Sequence, residues 1–84
     1  MAPGALDAKT KELLALALSV SQRCDGCIAA HARGAAEKGA TTQEVAETLG
    51  VVLLMNGGPA TSYAPRAFAA FNEFATNLVS PQSS

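Results

Sequence analysis

The two cysteines and the single histidine of this chain lie within one short segment. Cys24 and Cys27 form a C-x-x-C pair, and His31 follows Cys27 by four residues. If the segment is helical, all three side chains share one face, because residues three and four apart are neighbours on a helix. Two thiols at this spacing can close a disulfide, and an imidazole one turn away can take the proton of Cys27. The segment therefore predicts a redox site built on a cysteine pair.

The order in which the two thiols would react is open at this stage. His31 favours Cys27 as the attacking thiol, because only that sulfur has the imidazole one turn away. The predicted helix start favours Cys24, because the partial positive charge of a helix N-terminus stabilises a thiolate.

Glu12 is the candidate partner of the histidine. A catalytic histidine usually needs a third group that fixes its tautomer and orientation. Glu12 lies among leucines of the first predicted helix, and it reaches His31 only if the second helix folds back along the first. Taken alone, Glu12 is more typical of a solvated helix face.

Two plainer interpretations of the cysteines compete with the redox site. Free cysteine is often a small buried side chain with no chemistry. A structural zinc site needs four ligands, whereas the chain offers Cys24, Cys27, His31 and at best Glu12. We therefore expect neither a metal nor a cofactor.

The first two predicted helices carry these residues. Ala and Leu, which are strong helix formers, are the commonest residues of the chain, and this predicts an all-α fold. The first helix is expected from a cap at Asp7 to about Gln22. The second should begin at Cys24 or Asp25 and end at Lys38, where Gly39 supplies the left-handed residue that commonly follows a helix.

Two further helices complete the expected bundle. Thr41 and Glu44 form a capping-box pattern, which predicts a third helix that ends near Asn56. That helix is apolar on most sides near its end, so we expect it to be buried nearly all round. Pro65 favours a start of the last helix near Ser62, because proline is tolerated in a first turn.

Composition narrows the class of protein. The 84 residues form one domain, expected over 1–80, with a disordered polar tail at 81–84. A chain that is 49% hydrophobic and 15% charged is too apolar for so small a globule, which predicts a homo-oligomer. The net charge of −1 disfavours nucleic-acid binding. Without an apolar run of about 20 residues or an export signal, we expect no membrane span and a cytoplasmic location.

The order of Glu12, Cys24-x-x-Cys27 and His31, followed by a "GAT" turn and a "GGPA" segment, resembles the alkylhydroperoxidase D-like (carboxymuconolactone decarboxylase-type) family. The likeness covers roughly residues 7–75. It implies an all-α bundle that assembles as trimers or hexamers and reduces hydroperoxides. By this resemblance Cys27 is the peroxidatic thiol, Cys24 resolves it, His31 is the base and Glu12 its partner.

The resemblance also implies a hydroperoxide or disulfide substrate and an external thiol reductant. Gly26 stands where some peroxidase members carry a histidine between the cysteines, which predicts slower turnover. One alternative is a non-enzymatic oligomeric subunit switched by the cysteine pair. Another is decarboxylase-like acid–base chemistry run by His31 and Glu12, which the cysteine pair disfavours because members named for lactone decarboxylation lack it.

Overall fold

The computed structural model describes residues 1–79, and these residues form four α-helices without a strand. The predicted all-α fold is confirmed, while the predicted tail at 81–84 lies outside the described residues. None of the four helices within 1–79 is long and apolar enough to cross a membrane. The helices are α1 (Ala8–Ser21), α2 (Asp25–Glu37), α3 (Thr42–Asn56) and α4 (Ala60–Val79).

Three helices begin at the residues that the sequence predicts, and α2, expected from Cys24 or Asp25, starts at Asp25. The Asp7 carboxylate accepts a hydrogen bond of 2.7 Å from the Thr10 N–H and caps α1. At α3 the Glu44 N–H donates to Thr41 Oγ1 at 3.0 Å, and the Thr41 N–H donates to Glu44 Oε1 at 2.9 Å. Both halves of the capping box are therefore formed, and they fix where α3 starts.

The turn between α1 and α2 is short and closely hydrogen-bonded. Arg23 adopts a left-handed conformation with φ of 56°. Its N–H donates to the carbonyl of Val20, and the Cys24 N–H donates to the carbonyl of Ser19, each at 3.0 Å. This is the Schellman pattern of a helix end, with arginine in the position that glycine usually takes. Because only residues 22–24 separate the helices, α2 can fold back along α1.

The predicted start of α4 near Ser62 is wrong, since the helix begins at Ala60. Pro59, directly before the helix, is the proline preorganised for its first turn. Pro65 then lies one turn further in and lacks the N–H that would pair with the carbonyl of Thr61. Both positions are exposed, so water can satisfy that carbonyl and the helix continues.

The core lies where α1 packs against the other three helices. Its largest fully buried side chains are Leu16, Val20, Val45 and Phe71. The core also contains five alanines, which let the helices approach closely. The remainder of the core comprises Ile28, Ala32, Ala35, Leu49, Val52, Ala60, Ala64 and Ala67.

The end of α3 is not covered by this core. Leu54 is 81% exposed and Met55 is 75% exposed, and neighbouring apolar side chains are also partly in solvent. One chain therefore leaves this end of α3 open, so the predicted burial nearly all round requires other copies of the chain and stays a prediction. The end is open because α1 and α4 cover only the side of α3 that carries Val45, Leu49 and Val52.

Candidate redox site

Cys24 and Cys27 form a disulfide at the N-terminus of α2, with their Cα atoms 5.3 Å apart. Cys24 is the N-cap of the helix, and its sulfur accepts a hydrogen bond of 3.2 Å from the Cys27 N–H. Both residues are half-buried, so the disulfide remains accessible to a reductant. When the bond is reduced, the positive end of α2 faces the thiols and favours their ionised forms.

Glu12 and His31 form a hydrogen-bonded pair beneath this helix start. Glu12 Oε1 lies 2.8 Å from His31 Nδ1. Glu12 is only 8% exposed, whereas about a third of the histidine side chain reaches solvent. An ionised carboxylate can only accept hydrogen bonds, so Nδ1 carries the hydrogen and Nε2 is left to exchange a proton.

The structure brings all four predicted site residues into one region. Cys24, Cys27 and His31 come from the first two turns of α2, and Glu12 approaches from α1. His31 follows Cys27 by one helical turn, on the same face. Within the described residues the hydrogen-bond partner of the imidazole is Glu12, and neither sulfur of the disulfide bonds to the ring. The sequence could not supply this juxtaposition, because it depends on how α2 packs on α1.

An ion pair that the sequence did not predict lies beside the cysteines. Asp25 stands between them in the chain, and Arg66 of α4 contacts both of its carboxylate oxygens at 3.0 and 3.1 Å. The guanidinium also lies 4.5 Å from the centre of the Tyr63 ring. Hydrogen bonding to Asp25 raises the pKa of Arg66 above its usual range. Arg66 partly offsets a negative charge that would otherwise disfavour a thiolate, although solvent exposure of the pair weakens this effect.

The donor atoms of this region do not form a metal centre. In the part of the chain that the structure describes, no group of three or more His, Cys, Asp or Glu side chains is arranged to hold an ion. The site residues are instead paired with each other, sulfur with sulfur and carboxylate with imidazole.

Comparisons with known proteins agree with the fold. The model of the carboxymuconolactone decarboxylase family matches residues 1–70. The fold is similar to a carboxymuconolactone decarboxylase family protein from Legionella pneumophila, with a TM-score of 0.85 and 49% identity over 88% of this chain and 66% of that one. It is also similar to a family member from Thermotoga maritima for which an antioxidative role has been suggested, with a TM-score of 0.87 and 33% identity over 96% of this chain and 69% of the other.

Curated relatives have no assigned activity. An uncharacterized protein of Cupriavidus necator is 42% identical over 69 residues, which are 82% of this chain and 61% of the relative. Uncharacterized protein 4 in the cox locus of Paracoccus denitrificans is 39% identical over 72 residues, 86% of this chain and 65% of that protein. The chain thus spans less than two thirds of the length of these curated relatives.

Proposed function

The chain belongs to the carboxymuconolactone decarboxylase family, and from that premise we propose that it is a thiol-dependent peroxidase or disulfide reductase of the alkylhydroperoxidase D-like type. One observation carries the proposal: a disulfide at the start of α2 stands one turn from a histidine whose ring is held by a buried carboxylate. The antioxidative role suggested for the T. maritima relative supports the same chemistry.

In the first step the Cys27 thiolate attacks the terminal oxygen of a hydroperoxide. A sulfur–oxygen bond forms as the oxygen–oxygen bond breaks, so the sulfur is oxidised to a sulfenic acid and the peroxide is reduced to an alcohol. His31 accepts the thiol proton through Nε2 and returns a proton to the departing alkoxide. Glu12 keeps the ring in the tautomer that leaves Nε2 free and stabilises the imidazolium that forms.

In the second step Cys24 resolves the sulfenic acid. Its thiolate attacks the sulfur of Cys27, forms the sulfur–sulfur bond and releases hydroxide, which leaves as water after taking a proton. The disulfide between Cys24 and Cys27 in the structure supports this step, because it is the bond that the step forms. An external dithiol then restores both thiols and is itself oxidised to a disulfide. Since this reduction needs a thiol pool, we place the protein in the reducing cytoplasm.

We further propose that the protein works as a homo-oligomer, a trimer or a hexamer. Leu54, Met55 and Val51 are each more than half exposed near the end of α3. The adjoining groove between α3 and α4 has a volume of about 460 Å³ and is lined mainly by apolar side chains, among them Leu53 and Phe68. Contiguous apolar surface of this kind is typical of protein interfaces.

Turnover of tert-butyl hydroperoxide with dithiothreitol as reductant tests the enzymatic proposal. Wild type should consume peroxide continuously, and Cys27→Ser should fall to the rate of the Cys24→Ser/Cys27→Ser control. After dithiothreitol is removed from the reduced protein, Cys24→Ser should form one equivalent of sulfenic acid with peroxide, detectable with dimedone, because its peroxidatic thiol remains and no resolving thiol is present.

Two results would contradict the proposal in different ways. If wild type consumes peroxide no faster than the cysteine-free control, the proposed peroxidase activity is ruled out. If Cys27→Ser forms the sulfenic acid and Cys24→Ser does not, the roles of the two cysteines are reversed. A change of solution mass on reduction, without turnover, would support a redox-switched subunit instead.

A further inference from the structure

We infer that Gly34 is a positioning residue of the site, because its missing side chain leaves the space that the Glu12 carboxylate occupies. Gly34 is not adjacent to either cysteine in the sequence. It lies three residues after His31 on α2. The inference rests on the roles proposed above for Glu12 and His31, and adds the residue that holds the carboxylate against the ring.

The geometry leaves no room for a side chain at this position. A Cβ atom on Gly34 would lie 2.5 Å from Glu12 Cδ and 2.7 Å from Oε2, and Oε1 would be nearer still. Real Cβ atoms essentially never approach another heavy atom within 3.0 Å. Any other residue at position 34 must therefore move the carboxylate away from its present place.

The backbone gives no other reason for glycine here. Gly34 lies in the interior of α2, where glycine is less favourable than alanine. It is not among the glycines with positive φ, which are Gly39 and Gly57. The other glycines inside helices, Gly26 and Gly50, would place a Cβ with nothing within 4 Å. The space for Glu12 is what distinguishes Gly34 from them.

A side chain at position 34 should disturb the site and spare the fold. The atoms it would meet are the far end of the flexible Glu12 side chain, which can rotate without moving either helix backbone. That rotation breaks the 2.8 Å bond between Oε1 and His31 Nδ1. Without the carboxylate, the ring hydrogen is free to move to Nε2, the atom that must stay unprotonated to act as a base.

The test compares Gly34→Ala with Gly50→Ala, since both add the same methyl group to a helix interior. Reduced protein is studied with two readouts. Nitrogen NMR at about pH 9, above the ordinary range of histidine, reports which ring nitrogen of His31 carries the hydrogen. Iodoacetamide at about pH 7, below the ordinary range of a thiol, measures the alkylation rate of the thiols. Glu12→Ala and Glu12→Ala/Gly34→Ala complete a double-mutant cycle.

Gly34→Ala should shift the hydrogen of His31 from Nδ1 toward Nε2 and slow alkylation about fivefold to tenfold, as Glu12→Ala does. Gly50→Ala should match wild type, and Gly34→Ala should add nothing in the Glu12→Ala background. A wild-type tautomer and wild-type alkylation in Gly34→Ala would overturn the inference.

The double-mutant cycle also tests the inference if one variant does not fold. If Gly34→Ala unfolds, the double variant must fold, because the carboxylate that the methyl group meets is gone; unfolding of both would overturn the inference. The NMR readout uses no peroxide, so it remains informative if the peroxidase proposal fails.

Discussion

The α1–α2 pair buries a charged side chain, whereas the end of α3 exposes large apolar side chains. Between α1 and α2 the chain buries a carboxylate and supplies its partner from within, so that Glu12 is 8% exposed and bonded to His31. At the end of α3 the chain leaves large apolar side chains in solvent, with Leu54 81% exposed. Burial within one chain therefore depends on the position of a residue in the bundle as well as on its polarity.

The difference indicates which parts of the molecule are complete in one chain. An unpaired buried carboxylate would cost folding free energy, and the chain that buries Glu12 also supplies His31 as its partner. An exposed leucine has no such requirement, and it contributes to stability only when another surface covers it. The site pair should thus survive dilution, whereas the α3 surface should lose its contribution.

The same substitution in the two regions gives the largest contrast. Leu16→Ala removes a side chain that is fully buried in α1, and we expect it to lower the free energy of unfolding by about 2 to 5 kcal/mol. Leu54→Ala at the exposed position should change it by no more than about 0.5 kcal/mol in the monomer. Urea titration at several protein concentrations measures both.

The dependence on protein concentration distinguishes burial within one chain from burial between chains. The loss for Leu16→Ala should not depend on concentration, while any loss for Leu54→Ala should grow as the protein assembles. Equal losses at every concentration would mean that the two leucines are buried alike, contrary to the structure.

Charge at the end of α3 should disrupt assembly. Leu54→Lys/Met55→Lys places two ammonium groups on the exposed apolar surface, and we expect the solution mass from light scattering to fall to that of one chain with helical content unchanged. Ala69→Lys/Thr76→Lys adds the same charge at exposed positions of α4 and should keep the wild-type mass. A monomeric wild-type protein would remove the proposed oligomer.

The smallest effect concerns the ion pair between α1 and the first turn of α3. Lys9 of α1 donates to Glu44 of α3 at 2.9 Å, and this bond is the main cause that lowers the pKa of Glu44 from 4.5. A lowered folded-state pKa stabilises above the ordinary value and is lost as pH falls through the folded value. Lys9→Met should therefore lower Tm by a few degrees at most near neutral pH, and by nothing in acid.

Lys11→Met is the matched control for the pH experiment. Lys11 also lies on α1, but its ammonium group donates to the carbonyl oxygen of Ala2, which does not titrate. Its effect on Tm should stay constant across the acid range. If the deficit of Lys9→Met also stays constant there, Glu44 is not the group that Lys9 stabilises.

Local signals explain how much of the fold could be predicted. The starts of α1 and α3 follow from side chains that bond to backbone groups three residues away, at Asp7 and Thr41. The predicted start of α4 was wrong because both Pro59 and Pro65 are candidates for a proline at the start of the helix. The helix begins directly after Pro59. The excess of apolar residues at the end of α3 is visible in the sequence, but which of them one chain leaves in solvent depends on helix packing.

The candidate site also combines local contacts, which the sequence predicts, with long-range contacts, which it does not. The relation of Cys24, Cys27 and His31 is local to α2, so spacing predicts it. The contact of Glu12 with His31 joins residues 19 positions apart, and the contact of Arg66 with Asp25 joins residues 41 apart. These pairs depend on helix packing, which the sequence alone does not specify. The chemical roles of the four site residues stay predictions that the experiments above examine.

Cys24 belongs to the end of one helix and the beginning of the next. Its amide is anchored to Ser19 of α1, and its sulfur accepts from the first turn of α2. Reduction and oxidation of the disulfide should therefore move only the Cys24 side chain, while the backbone between α1 and α2 keeps its conformation. A protein built this way can cycle between oxidation states without loosening the frame that aligns its acid and its base.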